Sequence, residues 1–358
     1  MKKSKIAACL IGSLLVTSML GGCGKKKEST PTTEAELNIT PVATMQDASD
    51  MQVISREGYV ISDLTGEWIE EKYANQRPLC IMINNIIDAM PQSGISQADI
   101  TFEMLVEGGI TRYLCVFGQY DGLTKLGPVR SARPYYVTMS KMLDGYFAHV
   151  GWSDIAKEMI ENDPNVDNLN GLTNLSTIMF YRDNSRVAPH NCYTDGEKII
   201  AGIETDGYRT THKDGFNSMF GFNYKDTPLN SGNKAVKVQT NFSESRTPWF
   251  EYNESDGRYY RFQYGEKQID DQTNEQLSYK NVIVMVTQYS DIDGYLKNID
   301  WNTGGEGYYI TDGEYIPIKW KTKDTIQFYT EDGKQLKMNP GNTFITVFPY
   351  ANPGVIIE

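Results

Sequence analysis

The chain is expected to fold as an α/β domain built on a layered, mixed sheet, followed by a smaller β-rich C-terminal domain. Three observations predict this. Between residues 76 and 234 apolar strand-like runs alternate with segments of helical spacing, the pattern of a layered α/β structure. From residue 235 to 358 the strand-like runs follow one another with little helix between them, and they are rich in Val, Ile, Tyr and Phe. Three Asp-Gly pairs, at 256–257, 312–313 and 332–333, sit between such runs. Asp-Gly favours tight hairpins because both central residues of a type I′ turn need positive φ.

The elements can be taken in order. LCIMIN (79–84) is a continuous apolar run, as in a strand buried on both faces. DITFEMLV and ITRYLCVF are two further strands, with Gly108-Gly109 as the turn between them. PYYVTMSKML has helical spacing, and Pro134 suits the first helical position. YFAHVG reads as another buried strand, and its His149 as a core histidine. SDIAKEMIEN starts a short helix on a capping Ser153, and TDGEKIIAGIETDG is a further helix. In the C-terminal part KAVKVQTNF, RYYRFQY, NVIVMVTQY, GYYIT, YIPIKW and FITVFPY are the strands.

Residues 1–22 read as a secretory leader: Lys2, Lys3 and Lys5 precede a short apolar stretch from Ile6 to Leu20. The stretch is too short for a stable membrane span. Its end, Leu20-Gly21-Gly22-Cys23, resembles the lipobox of bacterial lipoproteins, which makes Cys23 the diacylated first residue of the mature chain. Residues 23–75 are read as a disordered tether and lead-in, because the stretch after Cys23 is rich in Lys, Thr, Glu and Pro and poor in large apolar residues. As a flexible coil of about 27 residues the tether spans roughly 30 Å. The predicted location is the outer, extracytoplasmic face of the cell membrane, with the diacylglycerol anchor as the membrane partner.

Charge narrows the partners. The chain has 34 Lys+Arg against 46 Asp+Glu, a net charge of −12. The leader removes three lysines, so the mature chain carries 31 against 46, or −15. That balance argues against nucleic acid. Cys80, Cys115 and Cys192 remain after the leader's Cys9 and the lipid-site Cys23, so at most one disulfide can form. Cys80 and Cys115 lie in apolar runs and read as buried, inert thiols. Cys192 is two residues from His190, but such closeness in sequence does not make a nucleophilic pair.

The candidate chemistry centres on GPVRSARPYY (127–136). Pro134 pushes Arg133 out of the α region, so Arg130, Ser131 and Arg133 lie at the entry of the following helix. Two guanidiniums beside the free N–H groups of a helix start suit a carboxylate or phosphate. The competing reading pairs the arginines with Glu103, Glu107 or Asp99 inside the protein. YRDNSRVAPHN (181–191) adds Arg182, Arg186, His190 and Asn191 as ligand-binding candidates on a loop. Glu103 and Glu107 share a face if EMLVEGG is a strand, so they, with His190, are the candidate acid/base groups of a hydrolase. No metal is expected: the three histidines have no ligand spacing, and DIDGYLKNIDWN misplaces the glycine of a calcium loop. No cofactor motif is present.

RPLCIMINN, PQSGISQADITFEMLVEGGITRYLCVFG, LGPVRSARPYY and YRDNSRVAPHN resemble the YerB-like lipoproteins of Gram-positive bacteria, as do NVIVMVTQYS, GEGYYITDGEYIPIKW and KQLKMNPGNTFITVFP. The resemblance covers nearly the whole mature chain. It implies an α/β N-terminal domain, a smaller C-terminal domain and a membrane address, but no activity and no catalytic residues. The function expected is therefore an envelope protein of unknown activity that binds an anionic cell-wall fragment or an envelope protein. The alternative is a cell-wall hydrolase or transferase using Glu103 or Glu107.

Overall fold

The computed structural model describes residues 55–292, 294–349 and 354–358. The leader, Cys23 and most of the tether lie outside them. The described residues belong to one compact unit, Ser55–Glu358.

A ten-stranded sheet organises this unit. Its strands, numbered in chain order, are β1 (Leu79–Asn85), β2 (Ile100–Leu105), β3 (Thr111–Phe117), β4 (Tyr146–His149), β5 (Asn168–Asn170), β6 (Asn281–Thr287), β7 (Gly305–Thr311), β8 (Glu314–Thr322), β9 (Ile326–Thr330) and β10 (Thr343–Pro349). Their order across the sheet is β9-β8-β7-β6-β10-β2-β3-β1-β4-β5. The last strand, β10, lies between β6 and β2 and runs parallel to both. Strands from the two sequence halves therefore share one hydrogen-bonded sheet. β1, β2, β4, β5, β6 and β10 point the same way, and β3 runs against its neighbours β1 and β2.

The continuous apolar runs are explained by burial on both faces. Along β1, Leu79, Ile81 and Ile83 pack into one cluster, while Cys80 and Met82 pack into another. The first cluster includes Ile199 and Ile203 of the helix Gly196–Asp206 (α3). It also includes Val238, Phe250 and Tyr259 of a second, antiparallel sheet. That sheet contains the strands Lys237–Thr240, Trp249–Asn253, Arg258–Gln263 and Val355–Ile357. The second cluster includes Tyr135, Tyr136 and Met139 of the helix Pro134–Met142 (α1) and Ala156 and Ile160 of Asp154–Asn162 (α2). The expected mixture of an α/β layer structure and a strand-rich C-terminal part is what the structure has.

Local signals act as expected at most positions. Pro134 is the first helical residue of α1 and Ser153 caps α2, accepting from the Ala156 N–H. Gly108 and Gly109 both have positive φ, which lets β2 turn back into β3. Of the three Asp-Gly turns, only 312–313 has both residues at positive φ; at 257 and 333 the glycine alone adopts it. The lead-in also folds: Tyr59–Ile61 pairs with Trp68–Glu70, and Leu64 between them is buried. Cys80, Cys115 and Cys192 are free and buried. Burial pushes the Cys80 thiol up to about 12, so it is inert at neutral pH.

A candidate anion site at the carboxyl edge of the sheet

The segment from Leu126 to Ala132 is fastened at the ends of parallel strands. β4 pairs with β1 only as far as Ile81; beyond that point the segment takes over. Asn84 donates its N–H to Pro128 O at 2.9 Å, and the Arg130 N–H reaches Met82 O at 2.9 Å. On the other side Val150 and Ala132 bond to Arg130 O and Gly151 O. The Val129 N–H donates to Cys192 O at 2.7 Å, which ties the 181–193 hairpin to the same place. Gly127 has φ 153°, and a Cβ there would lie 2.7 Å from the Tyr193 ring and 2.8 Å from Cys192 O. Arg130 and Ser131 are thus displayed where β1, β4 and β5 end. In open α/β sheets the carboxyl ends of the strands are the usual place for ligands.

Arg133 and Glu107 are partners. Nε and Nη2 of Arg133 donate to the two carboxylate oxygens of Glu107, each at 2.7 Å, and Nη1 donates to Ala132 O. Burial favours the neutral acid at Glu107, but this fork outweighs it and keeps the carboxyl below its ordinary value. Half of the internal-pairing reading is therefore realised: Arg133 is clasped, and its partner is Glu107.

Arg130 is different. Its side chain has no hydrogen-bond or ion-pair partner among the described residues, and its Nε is buried without an acceptor. Burial first, then Arg133 and Arg182, lower its pKa. Arg112, at the start of β3, is 6% exposed and donates Nη1 to Ser131 O at 2.6 Å, but its Nε also lacks an acceptor. Burial, with Arg133 and Arg130 beside it, brings Arg112 down to about 10. Positive charge is crowded here beyond what Glu107 neutralises.

The loop candidates join this edge. His190 Nδ1 meets Asn84 Nδ2 at 2.7 Å, and Arg182 Nη1 donates to Asn191 Oδ1 at 3.1 Å. Arg186 donates to Met90 O and Pro91 O, which fastens the loop to the segment after β1. Burial, followed by the charge of Arg130, lowers the His190 pKa. Arg130, Ser131, Arg133, Arg182, Arg186, His190 and Asn191 therefore share one edge of the sheet. Arg112 is not among the residues singled out from the sequence. The available signal was its place as the one charge inside the apolar run of β3.

Glu103 lies elsewhere, sealed between the two sheets. It and Arg261 are fully buried and paired at 2.5 Å, and Glu103 also accepts from Thr111 Oγ1 at 2.7 Å and Asn85 Nδ2 at 3.1 Å. The guanidinium carbon of Arg261 lies 4.6 and 4.5 Å from the ring centroids of Phe250 and Phe344, which pack edge-to-face against each other beside it. Glu103 and Glu107 are therefore both engaged by arginines, and neither faces an open cleft as a free carboxyl. His149 is a satisfied core histidine: its ring nitrogens meet Gly151 O and Asn168 Oδ1, and burial pulls it down to about 4. Among the described residues no group of His, Cys, Asp and Glu is arranged to hold a metal ion.

Residues 64–209 match the N-terminal domain, and residues 237–345 the C-terminal domain, of a family described as a protein of unknown function, DUF3048. The chain belongs to this family. It is 33% identical over 290 residues to the "Putative lipoprotein YerB" of Bacillus subtilis (strain 168), covering 80% of this chain and 85% of that one. Its fold matches the crystal structure of the YerB protein from Bacillus subtilis with a TM-score of 0.75 and 31% identity, over 84% of this chain and 99% of that chain. The resemblance read from the long motifs is thereby shown, and with it the DUF3048 pairing of an N-terminal and a C-terminal domain. The relative's name agrees with a lipoprotein. No helix among the described residues is long and apolar enough to cross a membrane.

Proposed function

We propose that this chain is an anion receptor of the cell envelope, anchored through a diacylated Cys23 on the extracytoplasmic face of the membrane. The lipobox and the lipoprotein name of the relative support the anchor. Arg130 carries the rest. A half-buried guanidinium with no acceptor, beside Arg112, Arg133 and Arg182, raises the free energy of the empty site, and a carboxylate or phosphate relieves it. Ser131, Arg182, Arg186, His190 and Asn191 border the ligand, and the Arg133–Glu107 fork holds the floor. The ligand is an acidic cell-wall fragment or an acidic segment of an envelope protein. The hydrolase reading lacks a free carboxyl, because Glu103 and Glu107 are already bonded.

Isothermal titration of the purified mature protein with inorganic phosphate and with soluble muropeptides tests this. Arg130→Ala is expected to weaken binding at least about tenfold, the value of one charged hydrogen bond. Its thermal midpoint should not fall, since the substitution removes only repulsion and a short stem. Unchanged affinity in a folded Arg130→Ala protein sinks the reading.

A further inference from the structure

The aliphatic surface is unevenly distributed. Among the described residues the three most exposed large aliphatic side chains are Val187 at 81%, Leu172 at 64% and Ile87 at 60%. They come from three different loops, and all three loops belong to the Arg130 edge. Ile87 is two residues beyond the end of β1, and its carbonyl accepts from the Met90 N–H, next to the carbonyls that hold Arg186. Val187 accepts from the His190 N–H, and His190 touches Asn84. Leu172 is two residues beyond β5. A point 3.6 Å from its Cδ1, at the place of a Gly151 Cβ, is 3.1 Å from Ser131 Oγ. Exposed aliphatics scattered singly mean little, but these three lie on loops of the same edge that carries the unpaired Arg130 side chain.

Resting on the anion-receptor reading, we infer that the ligand is a peptide segment. A carboxylate of the peptide would sit on Arg130, and aliphatic side chains flanking it would pack against Leu172, Ile87 and Val187. A free phosphate or a sugar acid has nothing to place on the aliphatic rim. A bilayer offers both charge and hydrocarbon, but as a plane, whereas Arg130 is recessed beside a buried Arg112. The mature chain's charge of −15 also opposes approach to an anionic membrane. A slender peptide reaches the guanidinium and still covers the rim, and burial of aliphatic groups around a charged anchor is how protein interfaces concentrate affinity.

The test uses the mature protein and two pools of fluorescein-labelled octapeptides, followed by fluorescence anisotropy. Every peptide in both pools has one Glu and a free carboxyl terminus. The first pool has Leu, Ile or Val at two positions beside the Glu, and the second has Ser there. The first pool is expected to bind at least about tenfold tighter, since each aliphatic side chain buried contributes more than that increment. Ile87→Ser/Leu172→Ser/Val187→Ser, which changes only exposed side chains, should erase the preference while phosphate binding persists. Equal binding of the two pools, or stronger binding to phosphatidylglycerol vesicles than to either pool, overturns the inference but leaves the anion site standing. Loss of phosphate binding by the unmodified protein overturns both.

Discussion

At the scale of single residues, the arginines divide by what surrounds them. Arg261 is deeply buried and paired with Glu103 through Nη2, with Phe250 and Phe344 packed beside it, although its Nε and Nη1 lack acceptors. Arg133 is committed to Glu107. Arg130 is committed to nothing. A buried pair resists removal of one partner because the other charge is then stranded. Glu103→Gln is therefore expected to destabilise the protein by about 3–5 kcal/mol, seen as a lower urea midpoint. A stability unchanged by that substitution would mean that Glu103 is free for chemistry after all. The pairing of Glu103 with Arg261 was not legible in the sequence. Glu103 and Arg261 lie 158 positions apart, and nothing local to either names the other. The fork of Arg133 and Glu107 was one of several pairings that the sequence allowed.

At the scale of elements, local signals decided more. Pro134, Ser153 and the glycines at 108 and 109 set where helices start and strands turn, because each acts through backbone geometry within a few residues. The continuous apolar run of β1 was readable as a strand covered on both faces, and that of β6 as a strand. The segment that displays Arg130 was readable only as a helix entry; its pairing with β1 and with Cys192 depends on residues far away. Gly127 is where that segment passes closest to the hairpin carrying the site loop. Gly127→Ala places a methyl against Tyr193 and Cys192 O. It is expected to cost about 1–3 kcal/mol through overpacking and also to weaken phosphate binding, because Arg130 shifts with its backbone. Calorimetric melting and titration on the same sample check both effects. Lost stability with undisturbed binding would show that the segment does not position the site.

At the scale of the whole molecule, the sheet order is what sequence reading missed. Strand existence follows from composition, but neighbours in a sheet are chosen by long-range packing, and β10 enters between β6 and β2 from the far end of the chain. Ending the chain at residue 340 removes β10 and exposes the edges of β2 and β6. Such a protein is expected to aggregate rather than fold with a shortened sheet, checked by size-exclusion chromatography. A soluble monomer with native-like circular dichroism would contradict the shared sheet. The same architecture brings the ends of β1, β4 and β5, the 181–193 hairpin and the start of α1 to one edge, and the central claim is that an anion belongs there. His190 reports on it. Arg130, Arg186, Asp88 and Asn84 are the groups that act on its imidazole, and burial followed by the positive charge of Arg130 lowers its pKa. A bound anion favours the imidazolium, so binding must raise that pKa and must tighten as pH falls through it. The deciding measurement is an NMR titration of His190 with and without inorganic phosphate, repeated in Arg130→Ala. The account predicts an upward shift on adding phosphate that disappears in the variant; a His190 pKa indifferent to phosphate in the unmodified protein would contradict it.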